Sequence, residues 1–82
     1  VGDHVNALEH YFEVLKINKR NTDALAGLYE LIKDQQPAEI IFFLNSIYDK
    51  ENKDDLSFLN AVMVELGNSV LANYYYMQHE GS

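Results

Sequence analysis

The chain is 82 residues long and acidic, with 13 Asp and Glu against 6 Lys and Arg and a formal net charge of −7. Nucleic acid and anionic membrane surfaces are disfavoured as partners, because both are bound by basic faces that neutralise phosphate groups. The absence of cysteine excludes disulfides and thiolate metal sites and is typical of a reducing compartment, so we expect a cytoplasmic protein without a cofactor.

Five apolar stripes along the chain predict five helices. Each stripe has the spacing i, i+1, i+4, i+7, i+8, and the stripes begin at residues 7, 24, 40, 55 and 70. That spacing marks one face of an α-helix about two turns long. The expected helices run over about 3–18, 22–33, 37–48, 54–66 and 69–78.

Turn and capping residues separate these helices. Asn21 or Thr22 should cap the second helix, and Asn68 or Ser69 should cap the fifth. Gly67 suits the left-handed position that closes the fourth helix. We expect residues 1–82 to form one domain, cut from a larger protein.

The fourth stripe begins with a polar residue, Asp55, where the first three stripes begin with an apolar one. Because Asp54 and Asp55 fall in the first turn of the fourth helix, we interpret Asp55 as the mark of a frayed, solvated helix start. The second and fourth stripes predict a core that contains Leu25, Leu28, Leu56 and Leu59.

The chain also repeats itself directly. Asn21 and Asp23 recur 31 residues later as Asn52 and Asp54, and the leucines that follow them recur with the same offset. Two steps of helix plus turn make a unit of 31 to 33 residues, a period typical of helical-hairpin solenoids. No strand pattern competes, so the expected class is all-α.

These motifs resemble those of the tetratricopeptide repeat family. Ala7, Tyr11 and Leu15 fall where that family's second helix places a small, an aromatic and an apolar residue, and Gly67-Asn68 resembles the turn before that helix. The resemblance implies a right-handed superhelix of antiparallel helix pairs, an α-solenoid of about five helices. It also implies a protein-interaction or scaffolding module without catalysis of its own.

The first helix of each repeat in that family lines a concave binding groove. The resemblance therefore implies a partner-binding groove on the second and fourth helices, which consists of Asp23, Ala26, Glu30, Lys33, Asp54, Ser57, Ala61 and Val64. Acidic residues outnumber the single lysine of this set, so we expect a basic or neutral protein or peptide as the partner.

The aromatic run in the fifth helix allows two interpretations. The repeated spacing turns Val70, Tyr74 and Met77 towards the core, whereas the family motif favours Ala72 and Tyr76. Exposed tyrosine and methionine patches mark contact surfaces, so this helix either folds back onto the domain or supports a homodimer. The candidate self-association residues are Val70, Tyr74, Tyr75, Tyr76 and Met77.

No pattern in the chain points to a catalytic or metal site. His4, His10 and His79 lack the i, i+4 spacing of a helical zinc pair. The leading interpretation is thus an interaction module. The alternative is an accessory or oligomerisation domain of a bacterial enzyme such as a glycosyltransferase, since the abundance of Asn, Lys, Ile and Tyr suggests an AT-rich genome, where similar repeats are appended to such enzymes.

Overall fold

Five α-helices make up most of residues 2–81, which are the residues that the computed structural model describes. They are α1 (Gly2–Ile17), α2 (Thr22–Ile32), α3 (Pro37–Asn45), α4 (Lys53–Glu65) and α5 (Ser69–Gly81). No strand occurs within residues 2–81, which confirms the all-α prediction. The Cα radius of gyration is 12.1 Å, close to the roughly 12 Å expected of a compact domain of this length.

Three asparagines at helix starts explain where the chain divides. The side-chain oxygens of Asn21, Asn52 and Asn68 accept hydrogen bonds from backbone N–H groups three residues later, at 3.1, 3.0 and 3.0 Å. Each bond satisfies one of the donors that a helix start leaves without an internal partner. Of the expected caps, Asn21 and Asn68 therefore perform this role.

The predicted left-handed closure of α4 is confirmed at Gly67, whose φ is +81°. The N–H of Asn68 donates to the carbonyl of Met63 at 2.9 Å, a backbone bond that commonly accompanies such a closure. Pro37 lies in the first turn of α3, where its missing N–H removes no hydrogen bond.

Helix α3 is shorter than the spacing predicts, since it ends at Asn45 and not near Tyr48. The hydroxyl of Ser46, just past that end, donates to the carbonyl of Phe43 at 2.6 Å. Tyr48 is nevertheless only 2% exposed, and its ring lies 5.9 Å from that of Phe58, measured between centroids. Tyr48 is therefore buried in the core although it lies in the connection after α3 and not in a helix.

Helices α1 and α2 form an antiparallel hairpin closed by a short turn. The ring of Tyr11 lies so near the backbone of Gly27 that a Cβ added to Gly27 would overlap the ring. Glycine at this position therefore permits the close approach. Helix α1 also contacts α3 through Phe12 and Phe43, whose ring centroids are 6.0 Å apart.

Helices α4 and α5 form a second antiparallel hairpin. The side-chain amide of Asn60, in the middle of α4, donates to the carbonyl of Ala72 at 2.7 Å. Lys53, at the start of α4, donates to the carbonyl of His79 near the end of α5. Helix α5 also packs against α3, so α3 links the second hairpin to the rest of the domain.

One core connects all five helices. The four leucines predicted to form it, Leu25, Leu28, Leu56 and Leu59, are at most 1% exposed, which confirms that prediction. The other buried apolar residues are Leu15, Ala24, Ile32, Ile40, Leu44, Tyr48, Val62, Met63, Leu71, Ala72 and Tyr75.

The buried face of α5 differs from the predicted stripe. Leu71, Ala72 and Tyr75 are buried, whereas Val70 and Met77 are 62% and 58% exposed. Of the two registers that the sequence left open, the one that turns Val70 and Met77 inwards is therefore excluded, and the other is met at Ala72 but not at Tyr76, which is 52% exposed. Leu71, Ala72 and Tyr75 lie on one face of the helix, as i, i+1 and i+4 positions do. This face packs against the core and buries the Tyr75 ring.

The interpretation of Asp55 as a solvated residue is also wrong, because its side chain is 0% exposed. Lys19 Nζ lies 2.7 Å from Oδ2 and Arg20 Nη2 lies 2.8 Å from Oδ1. The backbone N–H of Asp49 donates to Oδ2 at 2.8 Å. One carboxylate thus joins the α1–α2 turn, the α3–α4 connection and the first turn of α4.

Two further contacts hold the same three segments together. The hydroxyl of Tyr48 donates to the carbonyl of Lys19 at 2.6 Å, and the guanidinium of Arg20 lies 5.1 Å above the Phe58 ring. Burial by itself would raise the pKa of the Asp55 carboxyl. The donors from Lys19, Asp49 and Arg20 outweigh burial and hold that pKa below its usual value.

We expect Leu28→Ala or Leu59→Ala to lower the free energy of unfolding by about 2–5 kcal/mol, because each leaves a cavity among buried side chains. Denaturant unfolding followed by far-UV circular dichroism measures the change. Val64→Ala is the matched control, since Val64 is 63% exposed and its truncation should cost less than about 0.5 kcal/mol. A similarly small loss in both leucine variants would contradict the assigned core.

Asp55→Asn should lower the free energy of unfolding at neutral pH by about 3 kcal/mol, because it removes one partner of a buried ion pair. A lowered folded-state pKa means that the native carboxylate stabilises the protein above the usual Asp value of about 3.9. This contribution is lost as the pH falls from there through the lowered pKa.

Unfolding measured from pH 7 to pH 2 should therefore show a smaller acid-induced loss in Asp55→Asn than in the native chain. Asp54→Asn is the neighbouring control, since Asp54 is exposed and should lose less than about 0.5 kcal/mol. Equal acid profiles for the native chain and Asp55→Asn would show that this carboxylate does not govern the pH dependence.

Candidate interaction surfaces

The structure divides the residues of the predicted groove between two surfaces. Asp23 and Ala26 of α2 line a depression of about 180 Å³ together with the last part of α4. Its other lining residues are Thr22, Val62, Glu65 and Leu66. We call this surface the α2–α4 depression.

The other two predicted residues of α2 pair with each other. Lys33 Nζ lies 3.0 Å from an oxygen of Glu30, and both side chains are exposed. The hydrogen bond to Glu30 is the main reason why the pKa of Lys33 is raised above its ordinary value. The only cation of the predicted groove is therefore already satisfied by an acid one turn away.

The predicted residues of α4 face elsewhere. Ser57 and Val64 line a second surface, a groove between α4 and α5, while Asp54 and Ala61 are exposed to solvent. The predicted residues of the second and fourth helices thus line more than one depression.

The groove between α4 and α5, called the hairpin groove below, consists of two adjoining depressions of about 400 and 220 Å³. Asn60 and Tyr76 line both depressions, so the two lie side by side. Val64 lies on the α4 side and is 63% exposed, and Tyr76 lies on the α5 side and is 52% exposed. The groove therefore combines the exposed apolar side chains of Val64 and Tyr76 with polar lining residues such as Asn60.

The structure places the five candidate self-association residues in different environments. Val70, Tyr76 and Met77 are exposed, and Tyr74 is partly buried against the core. Tyr75 is 1% exposed, and its ring packs edge-on against that of Tyr74 with centroids 5.0 Å apart. Tyr75 therefore belongs to the core and is not part of any accessible surface.

Sequence reasoning missed the residues that complete both surfaces. The α2–α4 depression also contains Val62, Glu65 and Leu66, and the hairpin groove also contains Asn60 and Asn73. One signal was available for Asn60, because a polar residue in the middle of an amphipathic helix often has a specific hydrogen-bond partner. The other residues could not be identified from the sequence, because their place on these surfaces depends on how the hairpins pack.

No group of three or more potential metal ligands occurs among residues 2–81. His4 and His10 are exposed on α1, and His79 Nδ1 lies 3.1 Å from a carboxylate oxygen of the adjacent Glu80. None of the described helices is long and apolar enough to cross a membrane.

Comparison of the chain with protein-family models, with curated proteins and with solved structures finds no match. The class that the fold and the two surfaces define is a small all-helical domain built from two hairpins and an intervening helix.

Tyr75→Phe should leave the free energy of unfolding unchanged or raise it by about 1 kcal/mol. The buried Tyr75 hydroxyl has no hydrogen-bond partner among the described residues, and burial raises its pKa. Removing it therefore removes an unsatisfied polar group.

Tyr48→Phe is the matched comparison, because the Tyr48 hydroxyl is bonded to the carbonyl of Lys19. Losing that bond should lower the free energy of unfolding by about 1 kcal/mol. Denaturant unfolding of both variants decides the matter. A larger loss for Tyr75→Phe than for Tyr48→Phe would mean that the Tyr75 hydroxyl is satisfied in solution.

Proposed function

We propose that this chain is a protein-interaction module with a tetratricopeptide-like arrangement, whose role is to hold a protein or peptide partner without chemistry of its own. The sequence repeat would make α2–α3 and α4–α5 successive units and α1 the second helix of a preceding unit, whereas the hairpins seen in the structure are α1–α2 and α4–α5. The 31-residue spacing of two capping asparagines, Asn21 and Asn52, supports the proposal. The antiparallel pairing of α4 with α5 supports it as well.

The hairpin groove is the observation that carries the proposal. Val64 and Tyr76 expose more than half of their surface there, although a monomeric domain gains by burying such side chains. Exposed apolar residues that are grouped around a depression are typical of protein contact sites. Tyrosine is enriched at such sites because its ring is apolar and its hydroxyl can remain hydrated.

A second copy of the chain is one partner that this surface would suit. Val70 and Met77 add two more exposed apolar side chains on α5, so the accessible apolar surface extends beyond the groove. A two-fold dimer is the commonest closed assembly formed by one self-complementary patch. A different protein that presents an apolar helix face would use the same residues.

The test is a double variant, Val64→Glu with Tyr76→Glu, compared with the control Phe42→Glu. Phe42 is 77% exposed on α3, so the control adds charge at an apolar surface residue outside the groove. Sedimentation over a range of concentrations measures self-association, and quantitative affinity capture measures other partners. We expect the double variant to lose the dimer or the captured partner and the control to keep it.

A monomer of 9.4 kDa at high micromolar concentration that also captures no partner would contradict the proposal. Equal binding by the native chain and the double variant would also contradict it, since the groove would then have no part in the contact. Far-UV circular dichroism shows whether each variant keeps its helices.

A further inference from the structure

We infer that the α2–α4 depression receives a basic side chain presented by a partner protein. Ala26, Val62 and Leu66 are the apolar and less exposed lining residues and are called its floor, whereas Asp23 and Glu65 are lining residues with exposed carboxylates. The inference rests on the proposed interaction function and concerns a different surface from the hairpin groove.

The two carboxylates have no partner inside the domain. No ion pair or hydrogen bond joins the side chain of Asp23 or Glu65 to another residue within 2–81. Glu65 is the last residue of α4, where the negative end of the helix dipole disfavours a carboxylate. A cation from a partner would relieve that repulsion.

The cations of the chain itself are largely committed to internal contacts. Four basic side chains form ion pairs with acids of the same chain, and a fifth donates to a backbone carbonyl. They are Lys16, Lys19, Arg20, Lys33 and Lys53. With a formal net charge of −7, the domain therefore favours an external cation over another acid.

The residues that line the depression suit a long basic side chain. Arginine and lysine place their methylene groups on apolar surface while the charged end reaches polar groups at the rim. The apolar floor would take the methylene groups, and Asp23 and Glu65 would take the charge. An arginine suits two carboxylates especially well, because its guanidinium carries several donors in one plane.

The probe is the tripeptide acetyl-Leu-Arg-Leu-amide, compared with the same peptide carrying citrulline, the neutral isostere of arginine. Titration followed by ¹H–¹⁵N NMR should shift the amide signals of Ala26, Val62 and Leu66 saturably. The citrulline peptide should bind about fivefold more weakly, the size expected for the loss of two exposed ion pairs. Added salt should weaken the arginine peptide more than the citrulline peptide.

The matched variants are the double change Asp23→Asn with Glu65→Gln and the single change Asp54→Asn. The double change should raise the dissociation constant of the arginine peptide about fivefold. Asp54 is exposed in the first turn of α4 and outside the depression, so its change should leave binding unaltered. If the double variant lost its helical spectrum, the arginine and citrulline comparison on the native chain would decide.

Equal binding of the two peptides, an equal effect of Asp54→Asn, or the absence of saturable shifts at the three floor residues would each overturn the inference. The hairpin-groove variants test the general function separately. Loss of binding in those variants together with no preference for arginine would leave the interaction function standing and remove this site. If the chain preferred the arginine peptide but the hairpin-groove variants changed no binding, this site would stand and the hairpin groove would be excluded as a contact surface.

Discussion

The buried carboxylate of Asp55 is the interaction on which the arrangement of the helices depends. A charge without solvent contact is costly unless donors surround it. Here the donors come from the α1–α2 turn and from the α3–α4 connection, while Asp55 itself belongs to α4. Displacing the α1–α2 turn would remove both cations from the carboxylate, and displacing the α3–α4 connection would remove the backbone N–H of Asp49. The ion pairs therefore fix how the first hairpin lies against the second, in addition to what the apolar core contributes.

The same interaction shapes the surface. Because Lys19 and Arg20 are directed to Asp55 and Lys33 to Glu30, few cations remain to balance the exposed acids. The acidic character of the α2–α4 depression is thus a consequence of where the chain uses its basic residues. A net charge of −7 repels other acidic molecules over about one Debye length.

The second hairpin combines a stabilising face with a face that remains accessible. Tyr75 and Leu71 lie in the core, whereas Tyr76 and Met77 lie outside it. Consecutive residues of a helix point in directions about 100° apart, so a run of aromatic residues supplies both faces at once. The hairpin can therefore contribute to the stability of the domain and to the proposed contact with a partner without one requirement compromising the other.

Local rules allowed much of the fold to be predicted. Helix positions follow from apolar spacing and from caps at Asn21 and Asn68, and the core leucines follow from the same spacing, because these effects act within one or two turns of the chain. The burial of Asp55 could not be predicted, since its partner Lys19 lies 36 residues away. The buried face of α5 and the presence of Asp23 and Glu65 in one depression likewise depend on packing between residues that are distant in the chain.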